Sequence, residues 1–254
     1  MKPFNLIVIS ALLCQLLLVS SCATIAKQKA QAQTNQKTGL ALLEAGQYLG
    51  ALKVLLEADK DDPDDPVTNY YLGIAYNGRG MRDMALERFQ RAVYLKEDYS
   101  EAHNYIGVIY MDMGQWEKAI VAFDLALKNY LYETPALALY NSGWAYYNLK
   151  NYNKALSQYQ QALIKDPTGR LHPRIEKNMG LIYLKQSNFY EAKSHLEKSV
   201  NLNPSLYDAH FYLGETYLKI HDNENARRSF RQVIKLAPQT PFGQRAKEYL
   251  QSLR

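Results

Sequence analysis

Cysteine is almost missing from this chain: Cys14 and Cys22 are the only two in 254 residues. Both lie near the start, so no disulfide framework holds the rest, and the fold must rest on its buried core. A strong charge of one sign is missing too. Thirty Lys plus Arg stand against twenty-five Asp plus Glu, for a net +5. The basic residues are scattered except for Arg227, Arg228, Arg231 and Lys235. That spacing reads as a solvated helix face, and no nucleic-acid-binding module is visible. Catalytic motifs are also lacking: no Gly-rich phosphate loop, HExxH, GxSxG or Cys-x-x-Cys occurs. Of the five histidines, His195 and His221 have no second ligand at a metal-like offset. The acidic run Asp59, Asp61, Asp62, Asp64, Asp65 lacks the glycine and terminal glutamate of a calcium loop, and reads as an acidic helix start. These absences predict a protein that is not an enzyme and holds neither metal nor cofactor.

What is present is a repeat. Gly39, Gly73, Gly107, Gly143, Gly180 and Gly214 follow one another at steps of 34, 34, 36, 37 and 34 residues. Three residues after each comes Leu42, Tyr76, Tyr110, Tyr146, Tyr183 or Tyr217. Twelve after each comes Ala51, Ala85, Ala119, Ala155, Ala192 or Ala226. A period near 34 with this pattern is the signature of a helix–turn–helix unit, the tetratricopeptide repeat. The glycine and the alanine are expected to face each other across two closely packed helices. Sixteen after each glycine stands a bulky residue, Leu55, Phe89, Phe123, Tyr159, Leu196 or Phe230, marking the buried face of the second helix. His103 and His210 hold equivalent places four residues before a repeat glycine, which argues for packing. The fold class that follows is all-α: a right-handed superhelical solenoid of about six units over residues 32–240, closed by a capping helix over 241–254. Lys150 and Ser187 stand where the turn between the two helices prefers glycine.

The single long apolar run, Phe4 to Val19, follows Met1–Lys2 and precedes Ser20–Ser21–Cys22. It is short for a membrane span and has the layout of a bacterial secretory signal. Val19-Ser20-Ser21-Cys22 resembles a lipobox. The resemblance implies cleavage after residue 21, a covalent lipid on Cys22 and a tether over residues 22–31. With Ala23 next, it implies sorting to the outer membrane, on its periplasmic face.

In a solenoid of this type the first helix of each unit lines a concave groove. The positions facing that groove are predicted to include Tyr70, Ile74, Val108, Met111, Tyr140, Trp144, Tyr147, Leu181 and Phe211. An apolar, aromatic groove suits an apolar segment of a partner protein. Trp144, flanked by Tyr140 and Tyr147, is the sharpest of these residues.

Lipobox plus six repeats resembles the pilotin lipoproteins that help assemble the outer-membrane secretin of type IV pili. The most specific stretch is Leu131-Tyr132-Glu133-Thr134-Pro135 with Leu139 to Tyr147, at the 36-residue step. The 37-residue step through Thr168 to Pro173 is in keeping with it. The resemblance implies a protein that binds secretin subunits and promotes their outer-membrane localisation and multimerisation. An outer-membrane adaptor scaffolding cell-wall hydrolases or an export complex is the alternative reading.

Overall fold

Small side chains decide where these helices meet. The computed structural model describes Thr24 and residues 26–253, and every regular element among them is an α-helix. Helix α1 covers residues 26–44. It is followed by α2 Tyr48–Asp61, α3 Pro66–Gly78, α4 Arg82–Leu95, α5 Ser100–Asp112, α6 Trp116–Ala126 and α7 Pro135–Asn148. Then come α8 Tyr152–Lys165, α9 His172–Lys185, α10 Phe189–Leu202, α11 Tyr207–Lys219, α12 Asn223–Leu236 and α13 Pro241–Ser252. The all-α tetratricopeptide solenoid with its terminal helix is the fold expected from the repeat. The signal-like segment and Cys22 lie outside the described residues.

The chain divides into two units, residues 1–109 and 110–254. In the first, α2 packs on α3 and α3 on α4. Asp65 caps α3, its carboxylate accepting from the Val67 and Thr68 amides, and Pro66 sits at the first helical position, where no amide is needed. Arg88 pairs with Asp59 at 2.9 Å and Arg91 with Asp64 at 2.5 Å. The acidic run, expected as a helix start, instead begins in the last turn of α2 with Asp59 and Asp61 and crosses the turn. Only Asp65 caps a helix start, while Asp59 and Asp64 are held by arginines. In the second unit the pairs α7/α8, α9/α10 and α11/α12 follow one another, and α13 packs against α12 and α11.

The bulky residue sixteen after each repeat glycine is fully buried in every unit. The structure corrects what the glycine faces. A Cβ on Gly143 would stand 2.7 Å from the Tyr159 ring, and one on Gly73 would stand 2.6 Å from Phe89. The glycine thus makes room for that bulky side chain, while the alanine at twelve, also fully buried, is not its nearest neighbour.

Six turns join first to second helices, and all six close in the same way. The amides of Gln47, Met81, Gln115, Asn151, Asn188 and Asp222 donate to the carbonyls of Leu42, Tyr76, Tyr110, Tyr146, Tyr183 and Tyr217, at 2.8–2.9 Å. This six-to-one bond requires a left-handed residue just before the donor. Gly46, Gly80 and Gly114 supply it in the first three turns, but Lys150, Ser187 and His221 adopt φ of 60°, 58° and 61° in the last three.

Residues 26–31, predicted to be tether, are helical. Ala, Gln and Lys are strong helix formers, so α1 propagates backwards from the buried Ala32. Among the described residues no helix is long and apolar enough to cross a membrane.

Candidate functional site

The expected groove residues fall in different settings. In the first unit Tyr70, Ile74 and Val108 are half-buried. Tyr70 belongs to an aromatic cluster, 4.9 Å from Tyr99 and 5.8 Å from Phe89 and from Tyr105. Its ring is spent largely on packing within that unit.

The second unit holds a real concavity, a cleft of about 550 Å³. Tyr147 of α7 forms one side. Leu181, Leu184 and Lys185 of α9 and Tyr212, Glu215, Leu218 and Lys219 of α11 continue it, and Tyr249 of α13 closes the far end. These α9 and α11 residues project three or four apart along their helices, so each helix turns one face to the cleft. The predicted Tyr147 and Leu181 line it. Met111, Tyr140 and Trp144, all half-buried, are not among the lining residues.

Trp144 and Tyr147 stack with ring centroids 5.1 Å apart and planes 14° apart. Trp144 therefore backs the cleft wall through Tyr147. Tyr140 is drawn toward the core, 6.0 Å from the Tyr159 ring, and Asn178 Nδ2 donates to both hydroxyls, at 3.5 and 3.1 Å.

Phe211 was expected in the groove and is fully buried. The cause is the capping helix. Phe242 packs 5.0 Å from the Phe211 ring and the Arg245 guanidinium lies over it at 4.6 Å. The neighbouring Tyr212 lines the cleft in its stead. Neither Tyr212 nor Tyr249 was singled out by repeat position. Tyr249 lies outside the repeats, and only its helical spacing in the cap hinted at a packed face.

The charges around the cleft are arranged by pairing. Glu215 Oε1 accepts from the Tyr249 hydroxyl and from Arg245, both at 2.9 Å. Lys177 is held by Asp208 at 2.7 Å. Lys185 and Lys219 carry no carboxylate partner among the described residues, so the open rim is cationic. Burial raises the hydroxyl pKa of Tyr147, Tyr212 and Tyr249 above the usual phenol value, with nearby Glu215 adding to the effect on the latter two. All three stay neutral donors at physiological pH. The site offers apolar and aromatic surface, phenol hydroxyls and two amines, a set suited to holding a polypeptide. Among the described residues no group of His, Cys, Asp and Glu is placed to hold a metal ion.

Comparison with known proteins agrees with this architecture. Models described as tetratricopeptide repeat match residues 98–163, 178–206 and 207–240. This chain is a tetratricopeptide-repeat protein. Among solved structures it is similar to PilF of Pseudomonas aeruginosa, at 16% identity and a TM-score of 0.76, covering 87% of this chain and 99% of that one. It is similar to PilW, described as a widely conserved type IV pilus biogenesis factor, at 18% identity and a TM-score of 0.76, covering 85% and 98%. At these identities the likeness is one of fold. A curated relative, the BBSome complex member BBS4 of Bos taurus, is 24% identical over 209 residues. The match takes in 69% of this chain and 40% of that protein's length.

Proposed function

We propose that this protein is a pilotin-like lipoprotein, which binds secretin subunits and promotes their outer-membrane localisation and multimerisation in type IV pilus biogenesis. The observation that carries the reading is the cleft itself, lined by Leu181, Leu184 and Leu218 together with Tyr147, Tyr212 and Tyr249, the last tied to α11 through Glu215. Such a surface repays the burial of apolar side chains from a partner, and tetratricopeptide repeats bind protein partners. Two further facts support the pilus assignment. Val19-Ser20-Ser21-Cys22 with Ala23 has the pattern of a lipidated, outer-membrane-sorted start, and the fold is shared with PilW over almost its whole length. Lipid on Cys22 tethers the protein at the periplasmic face, and the cleft meets the secretin chain there.

The test is co-purification of the tagged full-length protein from membranes, with and without Tyr147→Ala plus Leu181→Ala. Truncating buried anchors of this kind costs roughly 2 kcal/mol or more, about thirtyfold in affinity. The wild type is expected to retain secretin and the double variant to lose it, with fewer heat-resistant multimers. Palmitate labelling is expected in wild type and absent in Cys22→Ser. Recovery of cell-wall hydrolases without secretin sinks the pilotin reading.

A further inference from the structure

The groove between α12 and α13 holds a second cleft, of about 470 Å³, with a different character. Its cations are Arg227, Arg231 and Lys247, and its apolar lining is Ile234, Leu250 and Leu253. Among the described residues no carboxylate side chain lines it. Arg227 is locked in place, its Nε and Nη2 donating to the Leu253 carbonyl at 3.1 and 2.6 Å. Arg231 and Lys247 are exposed and have no carboxylate partner among the described residues. Nearby Arg228, by contrast, is engaged by Glu224. The three apolar residues are half-buried and pack against the core cluster of the last repeat, to which Phe230, Val233 and Ala246 belong.

We propose that this cleft docks an acidic amphipathic helix of a partner protein, whose apolar face seats on Ile234, Leu250 and Leu253 while its carboxylates meet Arg231 and Lys247. Charge complementarity selects the occupant. A neutral apolar segment strips water from two cations and returns nothing, whereas an acidic one pairs with them. The relief of the surface separates a protein from a lipid bilayer. Here the cations are exposed and the apolar side chains lie recessed between two helices. A membrane-binding face instead presents its apolar groups to the acyl chains. The site is independent of the α9/α11 cleft, with which it shares no lining residue.

The experiment uses the full-length protein in phosphatidylcholine nanodiscs and fluorescence anisotropy. The probe is a labelled helical peptide with leucine on one face and glutamate on the other, alongside its lysine-for-glutamate twin. The acidic peptide is expected to bind and the basic twin not, with affinity falling as salt rises. Arg231→Glu with Lys247→Glu is expected to weaken binding about tenfold or more. Ile234→Asp is expected to weaken it with helicity unchanged, and Tyr147→Ala to leave it intact. Absence of binding, equal binding of both peptides, or an unchanged charge-reversal variant overturns the proposal. So does loss in Tyr147→Ala alone. Hydrogen-exchange protection of α12 and α13 on adding phosphatidylglycerol, without peptide, assigns the surface to lipid and overturns it as well.

Discussion

The Tyr249 hydroxyl donates to Glu215 Oε1 at 2.9 Å, tying the capping helix to the first helix of the last repeat at the end of the cleft. The Tyr249 ring stacks on Phe230 at 4.7 Å, with planes 12° apart, so one side chain both closes the core and shapes the site. Tyr249→Phe removes the hydrogen bond and keeps the stack, and is expected to cost about 1 kcal/mol. Tyr249→Ala removes both and is expected to cost roughly 3 kcal/mol. Urea denaturation gives the totals. Hydrogen exchange is expected to show the loss concentrated in α11–α13.

Gly143 and Trp144 are neighbours with opposite roles. Gly143→Leu drives a side chain into Tyr159, which is fully buried and hydrogen-bonded to Asn178. The expected cost is about 3 kcal/mol, at the upper end for overpacking. Trp144→Ala takes away a half-buried ring stacked on Tyr147, and is expected to cost about 1 kcal/mol. Equal losses in thermal melts overturn this division of roles.

Three turns carry avoidable strain. Lys150, Ser187 and His221 hold positive φ that glycine adopts freely. A left-handed non-glycine residue costs about 1–2 kcal/mol, partly offset in a glycine variant by the greater entropy of its unfolded chain. Each of Lys150→Gly, Ser187→Gly and His221→Gly is expected to gain up to about 1 kcal/mol. Glycine-to-alanine changes at Gly46, Gly80 or Gly114 are expected to lose about as much. Denaturation midpoints check both signs.

His210 couples stability to pH. Burial lowers its pKa below the ordinary 6.5, opposed only by the hydrogen bond that Nε2–H donates to the Pro204 carbonyl. Below about pH 6.5 the unfolded chain takes up a proton that the folded chain resists. Its contribution is therefore full above that pH and declines as the pH falls toward the depressed folded value. Melts at pH 7.5 and 5.5 are expected to show a smaller drop in His210→Gln than in wild type.

The repeat was legible because each structural demand is met by residue size, and size recurs. Leu55, Phe89, Phe123, Tyr159, Leu196 and Phe230 are buried as the spacing required. The site was legible only where first helices meet one another, as at Tyr147 and Leu181. It failed at Phe211, because α13 sends Phe242 and Arg245 over that ring from some thirty residues away, outside any repeat rule. It missed Tyr212 and Tyr249 for the same reason. Spacing fixes which residues share a helix face, but at Gly73 and Gly143 it is the long side chain sixteen on that reaches across, while at Gly180 the backbone of the expected Ala192 is close as well. The first turns of α1 were missed because that stretch has helix propensity without an apolar stripe.

The Trp144–Tyr147 stack gives this protein an optical consequence. Only two tryptophans exist among twenty-one tyrosines, so emission excited at the red edge of the spectrum comes from Trp116 and Trp144 alone. Trp144 lies one ring away from the surface that a ligand of the α9/α11 cleft touches. A molecule settling on Tyr147 changes the polarity and mobility sensed by that indole. In a Trp116→Phe background, the unlabelled protein reports its own occupancy through one native fluorophore.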